Sequence, residues 1–282
     1  MKNHRLVFIL LIMVGIAVHS CDPAFDPIKK NDRHYSIFGF LNASADTQFV
    51  RIEKLRDGMA TDVTNELDAE VTLTNMSNGR SQTLRDSVFN YYLEGRAHNF
   101  YTTMDVNASQ EYRLEIAGRE GSSSAEVQVP ESFPEPEVLL DDDFKTVLKI
   151  RDVNRLIGLK TIFKTCSESC YCEERRRFIY SHREDTTHSD DGSIRGEIVI
   201  NEDKKRMGVN FPSNDRFYIM RYDIVVAAGM SDWPKFAKLD DEAIALPSVA
   251  TNVRGGTGFL GGIVSDTLNI SDTCTPVTTR DF

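Results

Sequence analysis

"EYRLEIAG", Glu111–Gly118, places Tyr112, Leu114 and Ile116 on one side of an extended chain and Glu111, Arg113 and Glu115 on the other. Successive side chains leave a strand on opposite faces, so this period of two marks a strand with one face buried. "AEVTLTN", Ala69–Asn75, repeats the pattern with Val71 and Leu73 inward. "AEVQVP" repeats it again with Ala125, Val127 and Val129, and stops at Pro130. The turn signals Asp57-Gly58, Asn78-Gly79 and Gly118 fall between such runs. Short alternating strands at this spacing predict an immunoglobulin- or fibronectin-III-like sandwich over residues 34–130. No cysteine lies in that span, so its stability must come from packing.

"VPESFPEPEVLLDDD" then brings three prolines within seven residues, followed by the acids Asp141–Asp143. This reads as a linker over residues 131–143, leading into a second β-rich domain over 144–282. In that domain "RMGVNF" alternates Met207, Val209 and Phe211, and "RFYIMRYDIVVAA" alternates Tyr218, Met220, Tyr222, Ile224 and Val226. One short helix is expected after Ser231 or Asp232, with Pro234 in its first turn and Phe236, Leu239 and Ala243 at helical spacing. Trp233 beside it reads as a core plug rather than a sugar platform. The fold class is therefore all-β, a sandwich followed by a second β-rich domain with one helix.

The chain opens with a different signal. Lys2 and Arg5 precede the apolar run Leu6–Val18, which is shorter than the roughly 20 residues a membrane-spanning helix needs. Such a segment is a secretory signal, here over residues 1–20. "VHSC" resembles the lipobox of bacterial lipoproteins, which implies cleavage before Cys21 and lipidation of its thiol. Residues 21–33, polar and holding two prolines, read as a tether.

Without Lys2 and Arg5 the 33 basic residues fall to 31 against 43 acidic, a net charge of −12. That excludes a nucleic-acid backbone as partner, which needs a basic footprint, and argues against lying directly on an anionic lipid surface. Beyond Cys21 there remain Cys166, Cys170, Cys172 and Cys274, an even set that suits two disulfides in an exported chain and allows three connectivities. "CSESCYC" lacks the paired spacing of zinc ribbons, so no metal is expected there.

No serine elbow, zincin helix, P-loop or dinucleotide fingerprint occurs. "GGTGFLGG", Gly255–Gly262, runs into strand-like sequence and reads as a bulge or a close backbone approach, not a phosphate cradle. "SHREDTTHSDDGS" gathers His182, Glu184, Asp185, His188, Asp190 and Asp191. It reads as a polar hairpin loop between "RRFIYS" and "GEIVIN". Neither a metal nor a cofactor is called, and no catalytic residue is assigned.

The order of these pieces, from the lipobox-like cysteine through "YSIFGFLN", "AEVTLTN", "YRLEIAG" and "AEVQVP" to "TNVRGGTGFLGG", is similar to a family of uncharacterised envelope lipoproteins of Gram-negative bacteria. They carry a domain of unknown function and are often encoded beside TonB-dependent outer-membrane receptors. The resemblance implies a non-enzymatic, lipid-anchored protein of the cell envelope at the outer membrane. Its expected contacts are the membrane, through lipid on Cys21, and a TonB-dependent receptor. The rival expectation is an envelope hydrolase acting on glycans or peptides through the second domain.

Overall fold

The computed structural model describes residues 33–55, 67–91, 95–119, 121–140, 146–166, 176–182, 186–209, 217–231, 233 and 251–277. The signal segment, Cys21, the tether, Cys170, Cys172 and the helix expected after Asp232 lie outside them. In the first half the strands are β1 (Tyr35–Asn42), β2 (Gln48–Lys54), β3 (Ala69–Asn75), β4 (Ser81–Thr83), β5 (Arg85–Tyr91), β6 (Gly95–Thr102), β7 (Glu111–Gly118) and β8 (Gly121–Gln128). They form the order β1-β2-β6-β5 on one sheet and β8-β7-β3-β4 on the other. That is the A-B-E-D and G-F-C-C′ arrangement of immunoglobulin-type sandwiches.

The alternation read from sequence sets the core. Val71, Leu73, Tyr112, Leu114, Ile116, Ala125 and Val127 all point into it and meet Ile37, Leu41, Val50 and Ile52 from the opposite sheet. The Tyr112 hydroxyl, at the start of β7, accepts from the Asn107 amide at 2.8 Å. This bond from a strand-start tyrosine back to the preceding corner is the tyrosine corner of such sandwiches.

The second half repeats the order. Its strands are β9 (Glu137–Leu140), β10 (Thr146–Ile150), β11 (Arg155–Cys166), β12 (Arg176–Ser181), β13 (Thr186–His188), β14 (Ile194–Ile198), β15 (Phe217–Gly229), the two-residue β16 (Val253–Arg254) and β17 (Gly256–Val277). They pair as β9-β10-β14-β13 on one sheet and β12-β11-β15-β17 on the other, again A-B-E-D and C′-C-F-G. A second apolar core forms around Leu148, Leu159, Phe163, Ile198, Ile219 and Ile224.

The two sandwiches share β17. Its first residues pair parallel with β1, Tyr35↔Gly256 through Asn42↔Ile263. Its later residues pair antiparallel with β15, from Gly229↔Ile263 to Phe217↔Val277. One eight-stranded sheet therefore runs through both halves. Residues 253–264, read from sequence as part of the second domain, contribute Val253, Leu260 and Val264 to the first core. The span read as a linker holds β9, and its Phe133 packs against both cores. "GGTGFLGG" makes the close approach expected of it: a Cβ on Gly256 or Gly258 would collide with the Tyr35 or Ile37 carbonyl.

Three expectations are corrected. Residues Ile200–Val209 form a helix, α1, where strand was read on both sides of Asn201. Its "EDKKR" residues are good helix formers, and acids at its start with Arg206 in its last turn suit the helix dipole. The few alternating apolar residues around Met207 could not outweigh that. In β15 a register shift between Ile219 and Arg221 reverses the alternation, so Ile219, not Tyr218, joins Tyr222 and Ile224 at the core. The "SHREDTTHSDDGS" segment is no hairpin loop, because β12 and β14 lie in different sheets.

Candidate functional site

A cavity of about 330 Å³ opens where the two sandwiches meet, a size at the lower end of small-ligand sites. Val129, Pro130 and Glu131, at the exit of β8, form one wall. Asp152, Val153 and Asn154, the turn between β10 and β11, form the facing wall. Ala228 and Met230, at the end of β15, close the floor, and Asn154 Nδ2 lies 3.7 Å from Met230 Sδ.

Two lining residues hold an unusual backbone. Ser109 has φ 62° and Asp152 has φ 57°, the two non-glycine residues in the left-handed region among the described residues. Such conformations cost free energy and persist only where surrounding contacts fix them. Ser109 is fixed by its amide donating to the Pro130 carbonyl at 3.1 Å, and Val129 by donating to the Gln110 carbonyl at 3.0 Å. The lining contains the carboxylates Glu131 and Asp152 and no lysine, arginine, histidine or cysteine. Its field is therefore negative, and its chemistry is reception of donors or cations on an apolar floor.

The residues singled out in sequence are dispersed. His182 is buried beside β11, and its Nε2 accepts or donates to Thr161 Oγ1 at 3.0 Å. Asp203, from α1, approaches the same Nε2 at 2.9 Å. A histidine–carboxylate–hydroxyl relay needs the carboxylate on one ring nitrogen and the nucleophile on the other. Here both face one nitrogen, inside the protein, so the group is an internal polar contact joining α1 to β11. Sequence offered no sign of it, because Asp203 was one acid among 43.

Asp191 lies at the surface instead, accepting from Lys149 Nζ at 2.6 Å and from the Ser193 hydroxyl at 2.6 Å. These bonds hold its carboxyl well below the usual range. It braces the turn between β13 and β14. His188 and Asp190 are exposed nearby, while Glu184 and Asp185 lie outside the described residues.

Trp233 packs as a plug, edge-to-face on Phe259 at 5.3 Å between centroids. Its ring covers Gly261, where a Cβ would enter it, and its carbonyl accepts from Arg155. Of the cysteines, Cys166 is buried at the end of β11 and Cys274 lies on β17. β15 runs between the two strands.

No family model and no curated protein matches the chain. Among solved structures it is similar to a pullulanase complexed with maltotriose from Anoxybacillus sp. LM18-11, at 10% identity and TM-score 0.23, covering 68% of this chain and 24% of that one. The chain thus spans about a quarter of that enzyme's length. It is also similar to a cytokine receptor complex, at 8% identity and TM-score 0.24, covering 87% and 96%. A third likeness is to the FN1–FN3 domains of chicken CNTN1, at 11% identity and TM-score 0.24, covering 84% and 62%.

Proposed function

We propose that this chain is a lipid-anchored protein of the cell envelope that acts by binding, as an accessory to an outer-membrane TonB-dependent receptor. The observation that carries the binding part is the cleft between the sandwiches, acidic at its rim through Glu131 and Asp152 and apolar at its floor. The anchoring part rests on Cys21 after a short apolar segment. The four remaining cysteines, Cys166, Cys170, Cys172 and Cys274, form two disulfides in an exported chain, a reading supported by their even number. The hydrolase reading finds less support, since His182 meets Thr161 and Asp203 through one nitrogen.

Two measurements test the proposal. Radiolabelled palmitate should enter the native chain and fail to enter Cys21→Ser, which should leave the membrane fraction. Gently solubilised membranes should yield the chain together with a TonB-dependent receptor. Substituting Glu131→Gln and Asp152→Asn should weaken that association without loss of anchoring. Unchanged membrane fractionation of Cys21→Ser would end the anchoring claim, and turnover of a glycan or peptide by the pure chain would end the binding one.

A further inference from the structure

The outer face of the eight-stranded sheet, over the first sandwich, has a feature that the cleft does not use. Ladder registers set Gly261, Phe40, Phe49, Tyr101 and Arg85 side by side across β17, β1, β2, β6 and β5. At about 4.8 Å per strand the row is roughly 19 Å long. Trp233 lies over Gly261, so each station before Arg85 is aromatic. Phe38 extends the patch along β1 from Phe40.

Phe38, Phe40 and Phe49 are 51%, 49% and 50% exposed, while Ile37, Leu41 and Val50 between them are fully buried. Phe49 and Tyr101 touch with ring centroids 6.1 Å apart. Half of the 150–250 Å² that an aromatic ring can bury gives roughly 300 Å² of exposed phenylalanine surface. A patch of about 300 Å² matches the largest apolar patch of an ordinary monomer, which is often functional. Arg85, at the end of the row, is exposed and has no ion pair among the described residues.

We propose that this row is the contact face of a symmetric homodimer. The row is self-complementary about Phe49. A two-fold axis running along β2, between two sheets stacked about 10 Å apart, lays Phe49 against Phe49 of the second copy. The same operation lays Phe40 against Tyr101 and Trp233 against Arg85, an arginine over an indole face. Arg51, which also lies near the axis, is neutralised within its own strand by Glu53 at 3.5 Å.

A stable interface covers about 800 Å² on each partner, with aromatic residues and arginine enriched. The row supplies the aromatic centre, and Arg51, Asn99 and Ser87 on the same face supply a polar rim. An isologous contact closes at two copies.

Sedimentation equilibrium of the full chain carrying Cys21→Ser tests this without lipid. The expected result is a reversible dimer in the micromolar range. Phe49→Ser occurs twice at the axis and should weaken it at least tenfold, with Phe40→Ser close behind. Ile179→Ser, at an exposed position of the edge strand β12 in the second sandwich, should leave it unchanged. Circular dichroism melts of all three variants check that each remains folded. A monomer throughout the micromolar range, or a dimer indifferent to both phenylalanine substitutions in folded protein, would overturn the proposal.

Discussion

The two sandwiches have the same strand order and are filled differently. The first core is built from apolar side chains of both sheets and the Tyr112 hydroxyl, which meets Asn107, Asn75 and Gln110, and its buried His98 meets Asp86, a quarter exposed, at 2.6 Å. The second buries both members of such a pair: the His182 and Asp203 side chains are 4% and 1% exposed. Strand order follows from alternation and turns, which both halves possess. What the core can contain depends on partners, because a buried charge persists only where another group meets it. Removing one partner therefore costs more in the second half, where both members are out of water, than in the first, where Asp86 stays partly solvated.

That contrast gives a ranked set of outcomes. Asp203→Ala leaves His182 and Thr161 facing a void and should cost about 3–5 kcal/mol, read by urea unfolding followed by circular dichroism. If Asp203→Ala costs no more than an average surface change, the pair is not what ties α1 to β11. Gly261→Val should cost roughly 1–3 kcal/mol through overpacking and displace the Trp233 ring, which a red shift in the emission of this single tryptophan would report. Tyr112→Phe removes the corner bond together with the hydroxyl's bonds to Asn75 and Gln110, and should cost about 1–2 kcal/mol in the same urea unfolding.

The smallest effect belongs to Asp191. Its folded carboxyl titrates below the unfolded one, so its contribution is present above the unfolded value of about 3.9 and fades as the pH falls through the lower folded value. A carboxyl-detected NMR titration should show Asp191 still ionised below the ordinary aspartate value of about 3.9. Lys149→Met, which removes its first partner, should bring Asp191 back toward the ordinary range.

The first sandwich was legible because β3, β7 and the end of β8 alternate strictly, with turn residues between. The glycines of Gly255–Gly262 were legible for the same reason: strand-like residues follow them, and they lack the lysine of a phosphate loop. The second half resisted for identifiable causes. α1 carries only a few alternating apolar residues among charged helix formers, and the bulge at Ile219–Arg221 reverses the faces of a long strand midway. The His182–Asp203 contact and the cleft join residues far apart in the chain, and periodicity reports only neighbours. The aromatic row was hidden too, since Phe40, Phe49 and Tyr101 become neighbours only through ladder register.

β17 makes the two halves dependent in time as well as in space. Tyr35 pairs with Gly256 and His34 with Gly255, so the leading strand of the amino-terminal sandwich waits for residues near the carboxyl end. A chain that emerges from the ribosome amino end first cannot finish either sandwich until almost all of it has been made. Its open strand edges stand exposed to neighbours until β17 arrives, and contacts of such long sequence separation close slowly. Truncation before Gly256 would therefore strip a neighbouring strand from β1 and from β15 at once, undoing the amino-terminal sheet together with the carboxyl-terminal one.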